Sequence, residues 1–287
     1  MLRVAVRSIL DNDFGGDIEI IVVFDQVEID PLGDIVLPQG RSLRTIANER
    51  TPGLAGGRNT GIHHAVHSLV AFCDDDDEWM PTKLRRQREL WSRDPQASLI
   101  STGIRIITSE GSHDRLPPAK AEFGDFLESR ITEIHPSSFL LRRADLLGEI
   151  GLVDEELPAS YGEDYDLLLR AAKVGHVSSI VEPLVIVHWN RASFFSGRWE
   201  GIANGLGYLL RKHPEFEASP RGSARIEGQI AFALAALGRR EEARRWARVA
   251  IRHDRRQLRA WAALFVALRL VPPALLVQLV NRSGRGL

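Results

Sequence analysis

Along the first two-thirds of the chain, apolar positions come in blocks that switch between helical and strand-like periods. Leu2, Ala5, Val6, Ile9 and Leu10 recur at helical spacing, so the chain opens in a helix with no strand before it. Residues 11–17 form a polar, glycine-containing turn, and Ile18 to Phe24 is a β-branched run that reads as a strand ending at Asp25. A loop rich in Pro, Gly and Asp fills 26–40, and 43–47 is another short strand. Thr51-Pro52-Gly53 turns the chain into a helix over 54–68, and Leu69 to Cys73 is a short apolar run of the kind that forms a buried strand. A helix over 82–93 carries Leu84, Gln87 or Arg88, and Trp91 along one side, and 99–107 is again a strand. The remaining pattern is more irregular. It gives a strand at 137–141, a short helix at 144–150, a longer helix at 162–174 and an extended segment over 177–188, where Pro183 marks an edge or a bend.

Strand–helix alternation of this kind predicts an α/β fold with a doubly wound, mostly parallel sheet. From Ala224 the character changes to helices rich in Ala and Arg. Ile226, Ile230, Leu234 and Leu237 precede Gly238, and Glu241-Glu242-Ala243 opens a second helix bearing Trp246, Val249 and Ala250. The pair has the form of one tetratricopeptide-like hairpin with Gly238 at its turn, a C-terminal α-helical appendage. The predicted division is a first domain over 1–195 and a basic helical appendage over 196–287.

Composition refines this picture in three ways. Apolar residues make up 44% of 287, which excludes global disorder. The net charge of −1 hides a split: from Arg221 onward there are 14 Lys+Arg against 4 Asp+Glu, and before it 23 against 34. An acidic catalytic part and a basic arm are the expectation. Cys73 is the one cysteine, so no intramolecular disulfide can form and a reducing, cytoplasmic setting is the default. Cys73 itself reads as a small buried hydrophobe. The N-terminus is too short in apolar residues and too charged for a signal peptide, and the apolar stretch 258–280 is interrupted by Arg269 and Pro272-Pro273, short of a membrane span. The arginines from Arg239 to Arg256 beside that stretch suit the anionic inner face of a membrane, against the blander reading of solvated helix faces. They lack the interleaved aromatics that nucleic-acid binding would call for.

Candidate chemistry concentrates where the Leu69 strand runs into Asp74-Asp75-Asp76-Asp77-Glu78. Two unit charges about 4 Å apart repel by roughly 1 kcal/mol in water and about 4 at an effective dielectric near 20. A helix N-terminus near Pro81 could accommodate one or two of these acids, at about 0.3–1 kcal/mol each, but hardly five. A divalent cation is the simpler answer.

Four features stand in one order: a strand ending in Asp25, Gly57-Arg58-Asn59-Thr60-Gly61 opening a helix, the Asp74–Asp77 cluster, and Gly162-Glu163-Asp164-Tyr165-Asp166. Over about residues 1–190 this resembles the family 2 glycosyltransferases of GT-A fold, inverting enzymes that move a sugar from a nucleotide-diphosphate donor to an acceptor hydroxyl. The resemblance implies Mn²⁺ or Mg²⁺ held by Asp74 and Asp76, with Asp77 as a third ligand or a helix cap, and His188 reaching the metal or the diphosphate. It also implies donor contacts from Asp25, Arg58, Asn59 and Asp75, and a catalytic base at Asp164 with Glu163 as its alternative or partner. The acceptor it implies is a polysaccharide, a lipid-linked glycan or a small molecule. His135 ranks lower, near the acceptor pocket. His63, His64 and His67 read as helix-surface residues, and Asp166 with Arg170 as a structural i,i+4 pair. Gly57 stands where the family usually has Ala. Family members begin with a strand and a Pro-Thr-like turn that this chain starts after, so reduced stability or a replacement strand is expected, with impaired activity. Rival readings are a nucleotidyltransferase, which would release pyrophosphate, and a degenerate sugar-nucleotide-binding or scaffold protein.

Overall fold

The computed structural model describes residues 1–189 and 199–276. The elements follow in the order α1 (Leu2–Leu10), β1 (Ile18–Phe24), β2 (Arg41–Ala47), α2 (Leu54–His64), β3 (Leu69–Ala71), β4 (Glu78–Trp79), α3 (Lys83–Arg93), β5 (Ala97–Thr108), β6 (Gly111–Arg115), β7 (Lys120–Ala121), α4 (Phe123–Glu128), β8 (Leu140–Arg142), α5 (Arg143–Leu147), α6 (Glu163–Val174) and β9 (His176–His188). The helices α7 (Trp199–Lys212), α8 (Pro220–Ala236), α9 (Arg240–His253) and α10 (Leu258–Ala267) follow. The chain divides into two compact units. One comprises Met1–Phe126, Arg130–Glu155 and Glu163–Ala192, and the other Leu127–Ser129, Glu156–Gly162 and Ser193–Leu287. The expected domain boundary at 195/196 lies outside the described residues.

The first unit is α/β. Its sheet is mixed, and its two longest ladders are parallel: β1 with β2, and β5 with β9. A seven-stranded sheet runs β3-β8-β5-β9-β4, with β6 on β5 and β7 on β9, while β1 and β2 form their own two-stranded sheet. Among the described residues no replacement strand joins the two sheets. Side chains provide the continuity that the hydrogen-bond ladder lacks. Val6, Ile9 and Leu10 of α1 share one buried cluster with Ile18 and Ile20 of β1, Trp79, and Ile104, Ile106, Val185 and Val187 of the central strands. The helical spacing at the start of the sequence is thus the face of α1 that covers both sheets.

Several elements differ from the sequence pattern, α2 ending at His64 and β3 at Ala71 among them. Ser137–Leu141 is not one strand: Pro136–Ser138 is a 3₁₀ turn, with Pro at its first position, and the strand begins only at Leu140. Pro183 does not mark an edge, because β9 pairs with β5 on one side and with β4 and β7 on the other. It sits where the β5–β9 register shifts beside Gly103, the bend that a residue without an N–H donor imposes. On α3 the buried residues are Lys83, Gln87 and Trp91, one position round from the expected Leu84.

The second unit is helical. Ser219 caps α8 by accepting from the Gly222 N–H, and Gly238, with φ +79°, reverses the chain into α9. Ala243, Ala247 and Ala250 of α9 and Ala260 and Ala263 of α10 are fully buried, so small side chains let these helices pack closely. No helix among the described residues is long and apolar enough to cross a membrane. Residues 277–280 of the apolar C-terminal stretch lie outside the described residues.

Candidate active site

The acidic run leaves β3 and folds back at once into a β-turn, in which the Asp77 N–H donates to the Asp74 carbonyl at 3.2 Å. A turn of this type brings its first and fourth residues together and leaves the middle two at its tip. Asp75 is accordingly exposed, while Asp77 is buried. The 3₁₀ turn at Pro136–Ser138 lies against it. Ser137 Oγ donates to Asp77 Oδ2 at 2.5 Å and accepts the Asp74 N–H at 3.0 Å, and the Ser137 carbonyl accepts Trp79 Nε1 at 2.9 Å. His135 Nδ1 lies 3.4 Å from Asp77 Oδ2.

One ligand atom each from Asp74, Asp77 and His135 therefore falls within 4.8 Å of the others. Burial, with Asp74 next to it, pushes the Asp77 carboxyl up to about 8. Burial likewise lowers His135, whose imidazole stays neutral and able to donate a lone pair. With Asp77 giving up its proton to a cation, two carboxylates and a neutral imidazole within this distance fit a hard or borderline divalent ion, and the nitrogen favours Mn²⁺ over Mg²⁺. The grouping differs from the Asp74, Asp76 and His188 set that the sequence motif suggests. His188 Nε2 is 2.7 Å from Glu78 Oε1, and Asp76 and His188 share a cavity of about 180 Å³ with Met1, Val4, Ala5, Asp77 and Glu78.

Arg58 of α2 links this cluster to the first turn of α6. Its guanidinium donates to Asp74 Oδ1 at 3.0 Å and to Glu163 Oε1 at 2.6 Å, and it stands over the Phe72 ring. Burial raises Glu163 above the ordinary carboxylate range in spite of Arg58. Burial acts the same way on its neighbour Asp164. There Arg130 outweighs it, donating to both carboxylate oxygens at 2.7 and 2.8 Å, so Asp164 is held low and ionised. Neither Arg130 nor Ser137 stands out in the sequence, since each is a single polar residue in an irregular segment.

Two expected donor contacts, Asn59 and Asp25, also have structural partners within the protein. Asn59 is 1% exposed, its amide nitrogen donates to the Val153 carbonyl and to Glu155, and its oxygen accepts the Val153 N–H. With three of its four hydrogen-bonding positions engaged, this amide is a clasp between α2 and the 153–155 segment. Glu155, at about 2, is stabilised against its burial by Asn59, Thr51 and Arg50. Asp25 accepts from Asn48 Nδ2 and from the Gly53 N–H, each at 2.8 Å, which overcomes the effect of burial and keeps it below the usual range. It shapes the turn that enters α2. Gly56 is required at that entry, because a Cβ there would lie 1.9 Å from the Thr51 carbonyl.

Residues 1–151 match Glycosyl transferase family 2. Among curated proteins, the chain is 28% identical over 210 residues to the amylovoran biosynthesis glycosyltransferase AmsB of Erwinia amylovora, spanning 68% of each chain. It is 27% identical over 139 residues to WfgD of Escherichia coli, a UDP-Glc:alpha-D-GlcNAc-diphosphoundecaprenol beta-1,3-glucosyltransferase, covering 48% of this chain and 51% of that one. The chain thus spans about two-thirds of AmsB and about half of WfgD. Among solved structures, S. aureus TarS 1–349 in complex with UDP-GlcNAc has a TM-score of 0.62 at 15% identity, over 99% of this chain and 88% of that one. The same fragment with UDP gives 0.56 at 17%. With the sequence match covering more than half its length and a GT-A-type fold around the acidic turn, the chain belongs to glycosyl transferase family 2 and is a glycosyltransferase.

Proposed function

We propose that the chain catalyses metal-dependent, inverting transfer of a sugar from a nucleotide-diphosphate donor to an acceptor hydroxyl. The observation that carries this is the convergence of Asp74, Asp77 and His135 on one point, joined through Arg58 to the acids at the start of α6. In this reading Asp74, Asp77 and His135 hold Mn²⁺ or Mg²⁺, with Asp76 and His188 flanking from the neighbouring cavity. When bound, the cation offsets the charge that builds on the departing diphosphate.

The remaining work belongs to side chains. Asp164 takes the proton from the acceptor hydroxyl as its oxygen attacks the anomeric carbon, and the bond to the diphosphate breaks with its electron pair leaving on the phosphate oxygen. Attack opposite the leaving group inverts the anomeric carbon and needs only one base. Arg130 keeps that base ionised and fixes its direction, and Glu163 with Arg58 sets its distance from the metal cluster. Asp25 and Asp75 face the nucleotide. TarS, a fold neighbour, has been crystallised with UDP-GlcNAc, which supports a uridine diphosphate sugar as donor. The acceptor is a glycan hydroxyl, and residues 196–287 act as a basic arm that brings the protein to the anionic inner face of the membrane.

Thermal-shift titration against a panel of sugar nucleotides, with and without MnCl₂, tests binding, and release of nucleoside diphosphate tests chemistry. The expected result is a Mn²⁺-dependent shift that Asp74→Asn abolishes. An equal shift in Asp74→Asn, or donor binding indifferent to Mn²⁺, overturns the metal assignment. Pyrophosphate as the released product overturns the reaction class.

A further inference from the structure

Among the described residues, one face of α10 has no partner. α10 buries Ala260, Ala263, Val266 and Ala267. On its other side Leu258, Trp261, Phe265 and Leu268 are 78%, 42%, 48% and 52% exposed. Their spacing of three and four residues places them in a single stripe along the helix.

The charge around this stripe is predominantly positive. From Arg244 to Leu276 there are eight arginines and one acid, Asp254. That acid is engaged locally, accepting the Arg256 N–H at 2.8 Å. Arg255 and Arg256, just before α10, and Arg269, just after it, are exposed, as are Arg248 and Arg252 on α9. Trp261 Nε1 donates to the Arg255 carbonyl at 3.0 Å, which fixes the indole at the border between the apolar stripe and the arginines. An apolar stripe with an indole at its margin and cations at both ends matches the layering of an anionic lipid surface, acyl chains below and phosphates above. A second copy packed stripe to stripe would set Arg255, Arg256 and Arg269 against their own counterparts at the ends of an apolar seam.

We propose that α10 is an interfacial membrane anchor. Leu258, Trp261, Phe265 and Leu268 enter the acyl boundary of an anionic bilayer, while Arg255, Arg256 and Arg269 pair with lipid phosphates. This deepens the peripheral-membrane part of the proposed function and rests on it, adding that the attachment is by insertion and not by charge alone.

The test is co-flotation of the full chain with vesicles of phosphatidylcholine containing phosphatidylglycerol, beside vesicles of phosphatidylcholine alone. The expected result is binding to the anionic vesicles, a blue shift of tryptophan emission that disappears in Trp261→Phe, and partial survival of binding in about 0.5 M NaCl, where surface charge is screened. Leu258→Ser with Phe265→Ser should lower the partition coefficient by about tenfold or more. Both positions are exposed, so the variant folds, which far-UV circular dichroism checks. Failure of the wild type to float with anionic vesicles overturns the peripheral reading and the anchor together. Equal flotation of the double variant, with emission of Trp261 unmoved, overturns the anchor and leaves the peripheral reading standing. Self-association in sedimentation that the double variant loses, without vesicle binding, overturns the anchor in favour of a second copy.

Discussion

Lys83 offers a prediction whose sign runs against the usual expectation for removing a charged residue. It opens α3, is 0% exposed, and its ammonium finds no hydrogen-bond partner. What it has is the face of Trp79, 3.8 Å from the ring centroid. A cation–π contact of this kind contributes about 2 kcal/mol when desolvated. Burial works in the other direction and lowers the amine from 10.5 to about 7, equivalent to about 4–5 kcal/mol. The position at a helix N-terminus adds nothing in its favour. Burial therefore wins. Lys83→Met keeps the apolar stem and removes the ammonium, so the variant should be more stable than the wild type by about 2–3 kcal/mol near pH 6.

The pH dependence follows from the same numbers. Between the folded value near 7 and the unfolded value of 10.5, the unfolded chain binds more protons, so the wild type gains stability as pH rises through that window. The gap between variant and wild type is widest below pH 7 and narrows toward 10.5. Urea unfolding of both proteins at about pH 6, 8 and 10, read as the difference at each pH, isolates Lys83 from every other titrating group. A destabilised Lys83→Met at pH 6, or a gap that does not change with pH, refutes the reasoning and means that the ammonium has an anionic partner.

The acidic turn and its surroundings give further expectations. Ser137→Ala removes the donor to Asp77 and the acceptor of the Asp74 N–H, so stability should fall by about 1–3 kcal/mol. Mn²⁺ affinity, measured by titration calorimetry, should fall at least about tenfold, because outer partners of ligands carry effects of that size. Asp164→Asn should lower kcat by about 10²–10⁴-fold and leave donor affinity unchanged, and wild-type turnover in that variant removes Asp164 from the role of base. Gly56→Ala and Gly57→Ala form a matched pair on neighbouring residues of α2. The first drives a methyl group into the Thr51 carbonyl and should cost more than about 4 kcal/mol, or soluble expression altogether. The second meets nothing within 4 Å and should be neutral or stabilising by up to about 1 kcal/mol in thermal melts.

How far the sequence can be read depends on whether an element answers to its own pattern or to a neighbour. α1 and β1 answer to their own: the spacing of Val6, Ile9 and Leu10 and the run from Ile18 are the buried faces found in the structure. On α3 the buried side is decided by what lies opposite. Gln87 donates to the carbonyls of Ile100 and Ser138, and those bonds turn Lys83 inward where Leu84 has the better apolar claim. The same holds for Asn59, whose place in a donor-binding motif gives no sign of the Val153 backbone waiting across the chain.

The acidic cluster shows the most instructive limit. The family resemblance names Asp74 and Asp76 as the flanking acids of its motif, and alternate side chains share a face only where the chain is extended. The strand, however, has ended at Ala71, and Asp74–Asp77 is a turn closed by its own backbone hydrogen bond. In a turn it is the first and fourth residues that meet. Asp74 is therefore brought to Asp77, and the third member of the group comes from His135, far along the chain. Composition alone called for a cation at this point. The turn changes which carboxylates lie close together, a local change of period from two to three that a run of identical residues cannot record.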